Sequence, residues 1–350
     1  MSFYRSKNLA AVLIKQKKKL KIFDLKSPKL SKGYALIKMI YSGLCHTQLN
    51  EINGILGKDK FLPHCIGHEG VGKIINLGPG VQSVKKGDLV VISWIKKKSQ
   101  KRYKPIHFKS NGKNINSGGC NTLSRYTIVS DNRFYKISKK NNFLRESILL
   151  GCALPTASSA IFQLRNINSK SKILIMGMGG LGYSCLFVLK FLKCENIICM
   201  DSNLKRLEHL KKFSNCELVV SSKQNLKNFL KKNHEKFDLI IDCTGSKHLI
   251  QKTLPLCKKF TGKFIIIGNT KINDKIKINT WDIINGKTLM GAWGHGGTIM
   301  KNFNKNEKIL INQIKNIRKI LPKKNYKISE INKAVNDFAS GNILRPIIKF

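Results

Sequence analysis

Two short segments carry side chains that could hold a metal ion. The segment "GLCHT" contains Cys45 beside His46 and Thr47, and the segment "GHEG" contains His68. A further thiol, Cys152, lies in "LLGCALPTASSA". Thiolate and imidazole are the ligands that zinc prefers, and a catalytic zinc keeps three protein ligands and one open position. Each residue alone is weak evidence, because a buried cysteine is usually a small apolar side chain.

A glycine-rich turn indicates a second kind of chemistry. In "KILIMGMGGLGYSC" the glycines Gly177, Gly179 and Gly182 follow an apolar run and precede a segment of helical length. This is the dinucleotide-binding spacing. Gly177 permits the tight turn, Gly179 lets the backbone approach a pyrophosphate, and Gly182 allows close helix–strand packing. The helix N-terminus would then face the phosphates.

The next apolar run, "IICM", ends at Asp201, where such folds place an acidic residue. Its carboxylate would accept hydrogen bonds from the adenosine ribose and would repel a 2′-phosphate. NAD is therefore favoured over NADP. Arg206 lies close enough in sequence to weaken that preference.

These residues need two kinds of framework to position them. The first 150 residues contain strand-like runs bounded by glycine, at 34–43, 69–78 and 87–94. From about residue 172, apolar runs alternate with helical segments, which is typical of a parallel sheet covered on both faces. A helix is expected at 328–341 and a last strand in "LRPIIKF". The lysine-rich segment from Ile95 to Asn116 is expected to be the least structured.

Length and composition set the class of protein. The 350 residues are 42% hydrophobic, enough for two domains with buried cores. The ten cysteines are expected to be free thiols or metal ligands, as in a cytoplasmic protein. No secretory signal is recognised at the N-terminus. The uncharged stretch 173–189 is short for a membrane span and holds four glycines, so no membrane association is expected.

The net charge of +46 raises the question of nucleic-acid binding. The excess is mostly lysine and is spread along the whole chain, whereas a nucleic-acid binder concentrates its basic residues with aromatic side chains for stacking. Lysine, asparagine and isoleucine are all abundant, as A/T-rich codons would produce. We therefore expect no specific nucleic-acid partner.

Several segments together resemble one family, the zinc-dependent alcohol dehydrogenases of the medium-chain dehydrogenase/reductase superfamily. They occur in family order over nearly the whole chain: "GLCHTQL", "PHCIGHEGVGKIINLGPGV", "KKGDLVV", "GCALPTASSA", "GMGGLG" with "MDSNLKR", "MGAW" and "LRPIIKF". The resemblance implies an α/β fold. A GroES-like, β-rich catalytic domain would comprise residues 1–153 and 294–350, and a Rossmann-type domain with a doubly wound parallel sheet would comprise residues 154–293.

The resemblance also implies roles for residues around the metal. Cys45, His68 and Cys152 would bind the catalytic zinc. Glu69 would be a carboxylate close to the metal, and Thr47 would take the proton of the substrate.

Further roles concern the cofactor and the substrate. By resemblance, His46 and Arg345 would face the cofactor pyrophosphate. Leu181 and Thr156 would lie beside the nicotinamide, with Gly180 in the same loop as Leu181. Trp94 would line the substrate pocket.

The implied function is hydride transfer between a small alcohol, or an aldehyde or ketone, and NAD(H), in a homodimer or homotetramer. One zinc ion per chain is expected and no structural zinc, because the region 95–120 contains a single cysteine, Cys120. Many relatives have Asp where this chain has Gln48 and His where it has Asn50. These departures and the missing structural zinc site favour one alternative, a dehydrogenase specialised for a sugar, polyol or biosynthetic intermediate. A second alternative is a non-catalytic nucleotide-binding protein on the same scaffold, and the joint presence of Cys45, Thr47, His68 and Cys152 argues against it.

Overall fold

The computed structural model describes residues 7–97, 103–164, 166–212, 214–293 and 303–350. The chain divides into two compact units. Unit 1 comprises Met1–Pro155 and Gly296–Phe350, and unit 2 comprises Thr156–His295. Unit 1 is therefore discontinuous in sequence, with unit 2 inserted into it.

Unit 1 is built mainly from antiparallel strands in two sheets. Its described strands are β1 (Leu9–Leu13), β2 (Lys21–Asp24), β3 (Tyr34–Gly43), β4 (His64–Cys65), β5 (Glu69–Leu77), β6 (Leu89–Ser93), β7 (His107–Ser110), β8 (Lys113–Asn116), β9 (Tyr126–Ser130), β10 (Phe134–Lys136) and, near the C-terminus, β17 (Ile347–Lys349). One sheet has the order β2-β1-β4-β8-β7, and the other has the order β10-β6-β5-β3-β17 with β9 also paired to β3.

Strand β3 organises the larger sheet of unit 1. It pairs with β5, β9 and β17, all antiparallel. Its register with β5 shifts at two places, between Leu36 and Ile37 and between Met39 and Tyr41. Such irregularities bend a strand and re-aim its side chains. They precede Gly43, where β3 ends and the segment containing Cys45 begins.

The helices of unit 1 flank these sheets. They are α1 (His46–Asn53), α8 (Phe303–Asn312), α9 (Ile314–Ile320) and α10 (Ile331–Ala339), and α2 (Ala153–Phe162) runs across the boundary into unit 2. The apolar face of α10 buries Ile331 and Ala334 in a cluster with Ile348. That burial fixes the C-terminal segment against the rest of unit 1.

Unit 2 contains a parallel six-stranded sheet. Its strands are β11 (Ile173–Met176), β12 (Ile197–Asp201), β13 (Glu217–Val220), β14 (Leu239–Asp242), β15 (Lys263–Ile266) and β16 (Thr288–Gly291). Their order is β13-β12-β11-β14-β15-β16, and every neighbouring pair is parallel. The strand order reverses direction between β11 and β14. Ligands of such sheets bind beyond the carboxyl ends of the strands at this reversal.

Helices follow the strands of unit 2. They are α3 (Gly180–Phe191), α4 (Leu204–Lys211), α5 (Lys223–Lys232), α6 (Lys247–Thr253) and α7 (Thr280–Ile284). All residues of β11, β12 and β14 are buried, as the continuous apolar runs predict for a parallel sheet. The prediction of a parallel sheet is confirmed.

The local predictions are confirmed at most positions and wrong at one. The runs at 34–43 and 69–78 form β3 and β5, and the final segments form α10 and β17. The lysine-rich segment from Ile95 to Asn116 is predicted to be a loop and the least structured part of the chain, but it contains the hairpin of β7 and β8. Alternate residues of β7 are buried, which gives this polar segment a reason to form a strand. Residues 98–102 of the same segment lie outside the described residues.

Within the described part of the chain, every helix is too short or too polar to cross a membrane.

Candidate metal and dinucleotide sites

Three ligand-type side chains meet in unit 1. Cys45 is the N-cap residue of α1, His68 immediately precedes β5, and Cys152 follows a 3-10 turn at Glu146–Gly151. Their sulfur and ring-nitrogen atoms all lie within 4.8 Å of one another, and the two sulfur atoms are 3.9 Å apart. Three chain segments thus bring two soft sulfur donors and one imidazole to one point, a donor set that fits zinc.

Hydrogen bonds, charge and burial shift the pKa values of the three groups in different directions. A hydrogen bond with Cys152 holds the pKa of Cys45 well below its ordinary value. His68 and the charge of Arg345 act in the same direction, and burial opposes them. The same hydrogen bond, with burial, raises the pKa of Cys152. Burial lowers the pKa of His68, but Cys45 and the neighbouring carboxylates raise it by more. The thiol pair therefore gives up one proton readily and presents a thiolate to any bound metal.

The His68 ring is held on one side and open on the other. Its Nδ1 lies 2.8 Å from the side-chain nitrogen of Gln48. Its Nε2 is buried and has no hydrogen-bond partner among the described residues. A buried polar atom without a partner is unfavourable unless a ligand satisfies it. The open nitrogen is therefore the atom that a metal would use.

Behind the cluster lies a buried ion pair. Glu69 is fully buried, and its Oε1 accepts a hydrogen bond from Nη1 of Arg345 at 2.5 Å. Burial raises the pKa of the Glu69 carboxyl, and Arg345 opposes that shift. Two glycines make room for the carboxylate. A Cβ on Gly43 would lie 2.3 Å from Oε1 of Glu69, and a Cβ on Gly151 would lie 2.8 Å from the Glu69 Cβ.

Sequence reasoning missed the role of these two glycines and of Gln48. Gly43 and Gly151 each stand one or two residues before a candidate thiol ligand, and that recurrence was a usable signal. Gln48 lies three residues after Cys45, the spacing of a helix capping box, in which it accepts from the Cys45 backbone N–H. The contact between Gln48 and His68 joins residues from different elements, and no local pattern signals it.

The remaining predicted residues of unit 1 lie at different distances from the cluster. Thr47 places its hydroxyl oxygen 3.8 Å from the Cys45 sulfur. His46 is exposed, and its ring packs edge-on against Phe338 with 5.9 Å between ring centroids. Trp94 is half-buried just beyond β6, and its carbonyl accepts from Arg133. The predicted contact of Arg345 with a pyrophosphate stays a prediction, because its guanidinium pairs with Glu69.

The glycine-rich turn in unit 2 has the form that a dinucleotide needs. Gly177 has φ of +88°, in the left-handed region that favours glycine. A Cβ on Gly182 would lie 2.0 Å from the Gly177 carbonyl oxygen, so the helix can approach the turn only with glycine there. Gly179 is the N-cap of α3, and a Cβ there would meet no atom of the described residues within 4 Å. The opening at Gly179 fits a pyrophosphate beside the helix N-terminus.

Asp201 connects this turn to β12. Its Oδ2 accepts from the Met178 backbone N–H at 2.6 Å, and its Oδ1 accepts from the Asn203 N–H at 2.7 Å. Arg206 lies 3.5 Å from the same carboxylate. Asp201 therefore holds the turn in place as well as ending the strand, and Arg206 partly neutralises it.

The three other residues predicted to contact the cofactor lie in α2 and at the start of α3. Gly180 and Leu181 are the first residues of α3, and Leu181 is half-buried. Thr156 lies in α2, is 8% exposed, and its carbonyl accepts from the Ser159 hydroxyl. Their roles beside a nicotinamide stay predictions.

Two family models match the chain. The alcohol dehydrogenase GroES-like domain matches residues 31–139, and the zinc-binding dehydrogenase domain matches residues 180–309. S-(hydroxymethyl)glutathione dehydrogenase of Escherichia coli is 25% identical over 313 residues, covering 82% of this chain and 84% of that protein. The chain belongs to the zinc-dependent alcohol dehydrogenase family. It is an oxidoreductase of the alcohol dehydrogenase type, as the second family model and the named relatives indicate.

Solved structures show that the fold of this dehydrogenase is shared over the whole chain. Benzyl alcohol dehydrogenase from Acinetobacter calcoaceticus is 23% identical, covers 99% of each chain and gives a TM-score of 0.83. The 2R,3R-butanediol dehydrogenase from Bacillus subtilis is 18% identical, covers 98% of this chain and 99% of its own, and gives a TM-score of 0.77. The predicted fold class, a GroES-like domain with a Rossmann-type domain, is confirmed.

Proposed function

We propose that this dehydrogenase holds one catalytic zinc ion at Cys45, His68 and Cys152, and that it prefers NAD(H) to NADP(H). The observation that carries the proposal is the cluster of two sulfurs and one ring nitrogen within 4.8 Å, in which the buried Nε2 of His68 has no geometric hydrogen bond to any described residue. Zinc bound there supplies a Lewis acid that lowers the pKa of an alcohol hydroxyl.

The chain's own residues would move the proton and balance the charge. Thr47, next to the cluster, would accept the alcohol proton and pass its own onward. Asn50, buried one helical turn further along α1, has no group that takes up or releases a proton near neutral pH, so the proton leaves by another route, through ribose hydroxyl and water or through His46. The Glu69–Arg345 pair would hold a fixed negative and a fixed positive charge behind the metal ligands.

The dinucleotide supplies the hydride acceptor. The turn at Gly177, Gly179 and Gly182 would hold its pyrophosphate, and Asp201 would accept from the adenosine ribose. A 2′-phosphate would meet that carboxylate, which favours NAD. Since Arg206 is 3.5 Å from Asp201, loss of the carboxylate would free a cation for the 2′-phosphate.

The metal proposal is tested by elemental analysis of purified protein. We expect one zinc per chain in the wild type and much less in Cys152→Ser. Cys120→Ser is the matched control, because Cys120 belongs to unit 1 and lies outside the three-residue cluster. Two zinc ions per wild-type chain would contradict the prediction of a single site, and none would contradict the zinc centre.

The cofactor proposal is tested with Asp201→Ser. Removing the carboxylate should raise the NADPH/NADH activity ratio by about an order of magnitude, roughly 1.4 kcal/mol. Arg206→Met in the same background should cancel the gain. A panel of primary alcohols, aldehydes and S-(hydroxymethyl)glutathione then addresses the substrate class. An unchanged ratio in Asp201→Ser would mean that this residue does not select the cofactor.

Size-exclusion chromatography with light scattering tests the proposed homodimer or homotetramer.

A further inference from the structure

The side chain of Gln48 contacts the Cys45 backbone N–H and the His68 ring, and it also hydrogen-bonds with the Glu51 carboxyl. It is buried at the third residue of α1, between the start of the helix and the His68 ring. Its Oε1 accepts from the Cys45 backbone N–H at 3.0 Å, and its Nε2 lies 2.8 Å from Nδ1 of His68.

These contacts determine which ring nitrogen carries the proton. A backbone N–H can only donate, so the amide oxygen must face Cys45. The amide NH2 must then face His68, and it can only donate to Nδ1. Nδ1 therefore acts as an acceptor, and a neutral ring carries its proton on Nε2.

Zinc needs the other tautomer. Nε2 points to the sulfur cluster and must offer its lone pair, so the proton must move to Nδ1. The Nδ1–H then meets the amide NH2, donor against donor. Rotating the amide by half a turn gives Nδ1–H an acceptor, but it turns the NH2 group toward the Cys45 N–H. One buried donor is left unpaired in either arrangement.

We propose that Gln48 is a positioning residue that holds His68 in the tautomer with its proton on Nε2 and thereby weakens zinc binding at this centre. The proposal rests on the zinc centre proposed above and adds a determinant of its affinity. A carboxylate at position 48 would accept from both N–H groups at once. The Gln48 amide offers one oxygen to two N–H groups, and this mismatch brings the zinc-loaded and zinc-free states closer in free energy than the ligands alone would.

The first test measures zinc affinity by competition with a chromophoric chelator, in wild type and in Gln48→Glu. An unpaired buried donor costs about 1–3 kcal/mol, so Gln48→Glu should bind zinc about 5 to 150 times more tightly. Asn50→Asp is the matched control. It adds the same charge two residues along α1, and no contact with His68 is described for Asn50. Equal tightening in the two variants would show a charge effect and would overturn the proposal.

The second test reads the tautomer directly, without zinc. Long-range ¹H–¹⁵N correlation spectra of zinc-stripped protein at pH 8, with the His68 signals assigned by their loss in His68→Asn, should show a proton on Nε2 in the wild type. In Gln48→Glu the proton should move to Nδ1. A proton on Nδ1 in the wild type would overturn the proposal. Failure of every variant to bind zinc would instead overturn the zinc centre, so the two failures are distinguishable.

Discussion

At the scale of single residues, the ion pair of Glu69 and Arg345 joins two chain segments that are 276 residues apart in sequence. Arg345 is 4% exposed and Glu69 is fully buried. A buried charge that loses its partner is much less favourable than a buried pair. The pair should therefore be necessary for the stability of unit 1, independently of any catalytic role.

Arg345→Met should lower the free energy of unfolding by about 3–5 kcal/mol, because it leaves the Glu69 carboxylate buried and unpaired. The double variant Glu69→Gln with Arg345→Met should lose less free energy of unfolding than Arg345→Met alone, since no buried charge then remains. Urea titrations of zinc-stripped proteins measure both. A double variant that is less stable than Arg345→Met would show that the charge pairing is not what stabilises this position.

A second residue-scale prediction concerns the proton route. Asn50→His should raise the rate of aldehyde reduction at pH 6 by about tenfold, because an imidazolium would supply the proton that reduction consumes. Asn50→Gln, which changes size without adding a titratable group, should give no gain. In the wild type the pH–rate profile should have no inflection from residue 50. An unchanged rate in Asn50→His would show that the proton already has an efficient route.

The residues of the candidate site were predicted from sequence to different degrees. Cys45, His68 and Cys152 are weak candidates one by one, and the resemblance of their segments to one family is what joins them into a ligand set. The pairing of Arg345 with Glu69 and of Gln48 with His68 was not predicted. Both contacts depend on how distant segments pack, and neither leaves a periodic pattern in the chain.

At the scale of elements, the two glycines that flank the start of α3 serve different purposes. Gly182 is required by the fold, since its missing Cβ would meet the Gly177 carbonyl oxygen at 2.0 Å. No atom of the described residues lies within 4 Å of a Cβ placed on Gly179, and its φ is −84°, so these residues would accept a side chain there. Only a ligand at the helix N-terminus gives a reason for glycine at 179.

Gly179→Ala should therefore leave the free energy of unfolding within about 0.5 kcal/mol of wild type. The same change should weaken NADH binding at least about tenfold, because the methyl group would occupy the pyrophosphate position. Gly182→Ala, unlike Gly179→Ala, should lower the free energy of unfolding by about 1–3 kcal/mol, because its methyl group overlaps the Gly177 carbonyl oxygen. Fluorescence titration with NADH and urea unfolding separate the two effects. Normal NADH affinity in Gly179→Ala would contradict a pyrophosphate at this turn.

Elements with strong patterns were predicted best. The strands β11, β12 and β14 are continuous apolar runs, and β3 has a run bounded by glycine, so composition alone identifies them. The hairpin of β7 and β8 was missed because "HFKS" and "KNIN" are short and polar, with alternate burial visible only in the fold. The predicted domain boundaries, 153/154 and 293/294, remain a prediction from resemblance. The structure divides the chain at Pro155 and His295.

At the scale of the whole molecule, all ten cysteines are free, and most are buried. Burial raises the pKa of Cys65 and of Cys257 to about 12 each. In the unfolded chain a thiol ionises near pH 8.5. Because the folded pKa is the higher one, these thiols stabilise the fold fully below about pH 8.5. Their contribution is lost progressively as the pH rises toward 12.

The free energy of unfolding should accordingly fall between pH 8 and pH 10, with each such thiol contributing a loss of roughly 2 kcal/mol at pH 10. Cys257→Ala should reduce the slope of the free energy of unfolding against pH, by the amount that corresponds to about one proton. Leu256→Ala, at the neighbouring buried position, should destabilise the protein but keep the wild-type slope. Urea titrations at several pH values measure the slopes. Equal slopes in Cys257→Ala and wild type would contradict a buried neutral thiol at 257.

Because unit 1 is discontinuous in sequence, its two segments are synthesised at different times. A ribosome adds about 5–20 residues per second, so Glu69 is synthesised about 14 to 55 s before Arg345, which lies 276 residues later. The segment that forms unit 2 emerges entirely within that interval. Until Arg345 and β17 arrive, the nascent chain holds a carboxylate destined for burial without its counter-ion, and β3 lacks one of its neighbours. Cys45, His68 and Cys152 thus reach their final surroundings late in synthesis, after unit 2 is already complete in sequence.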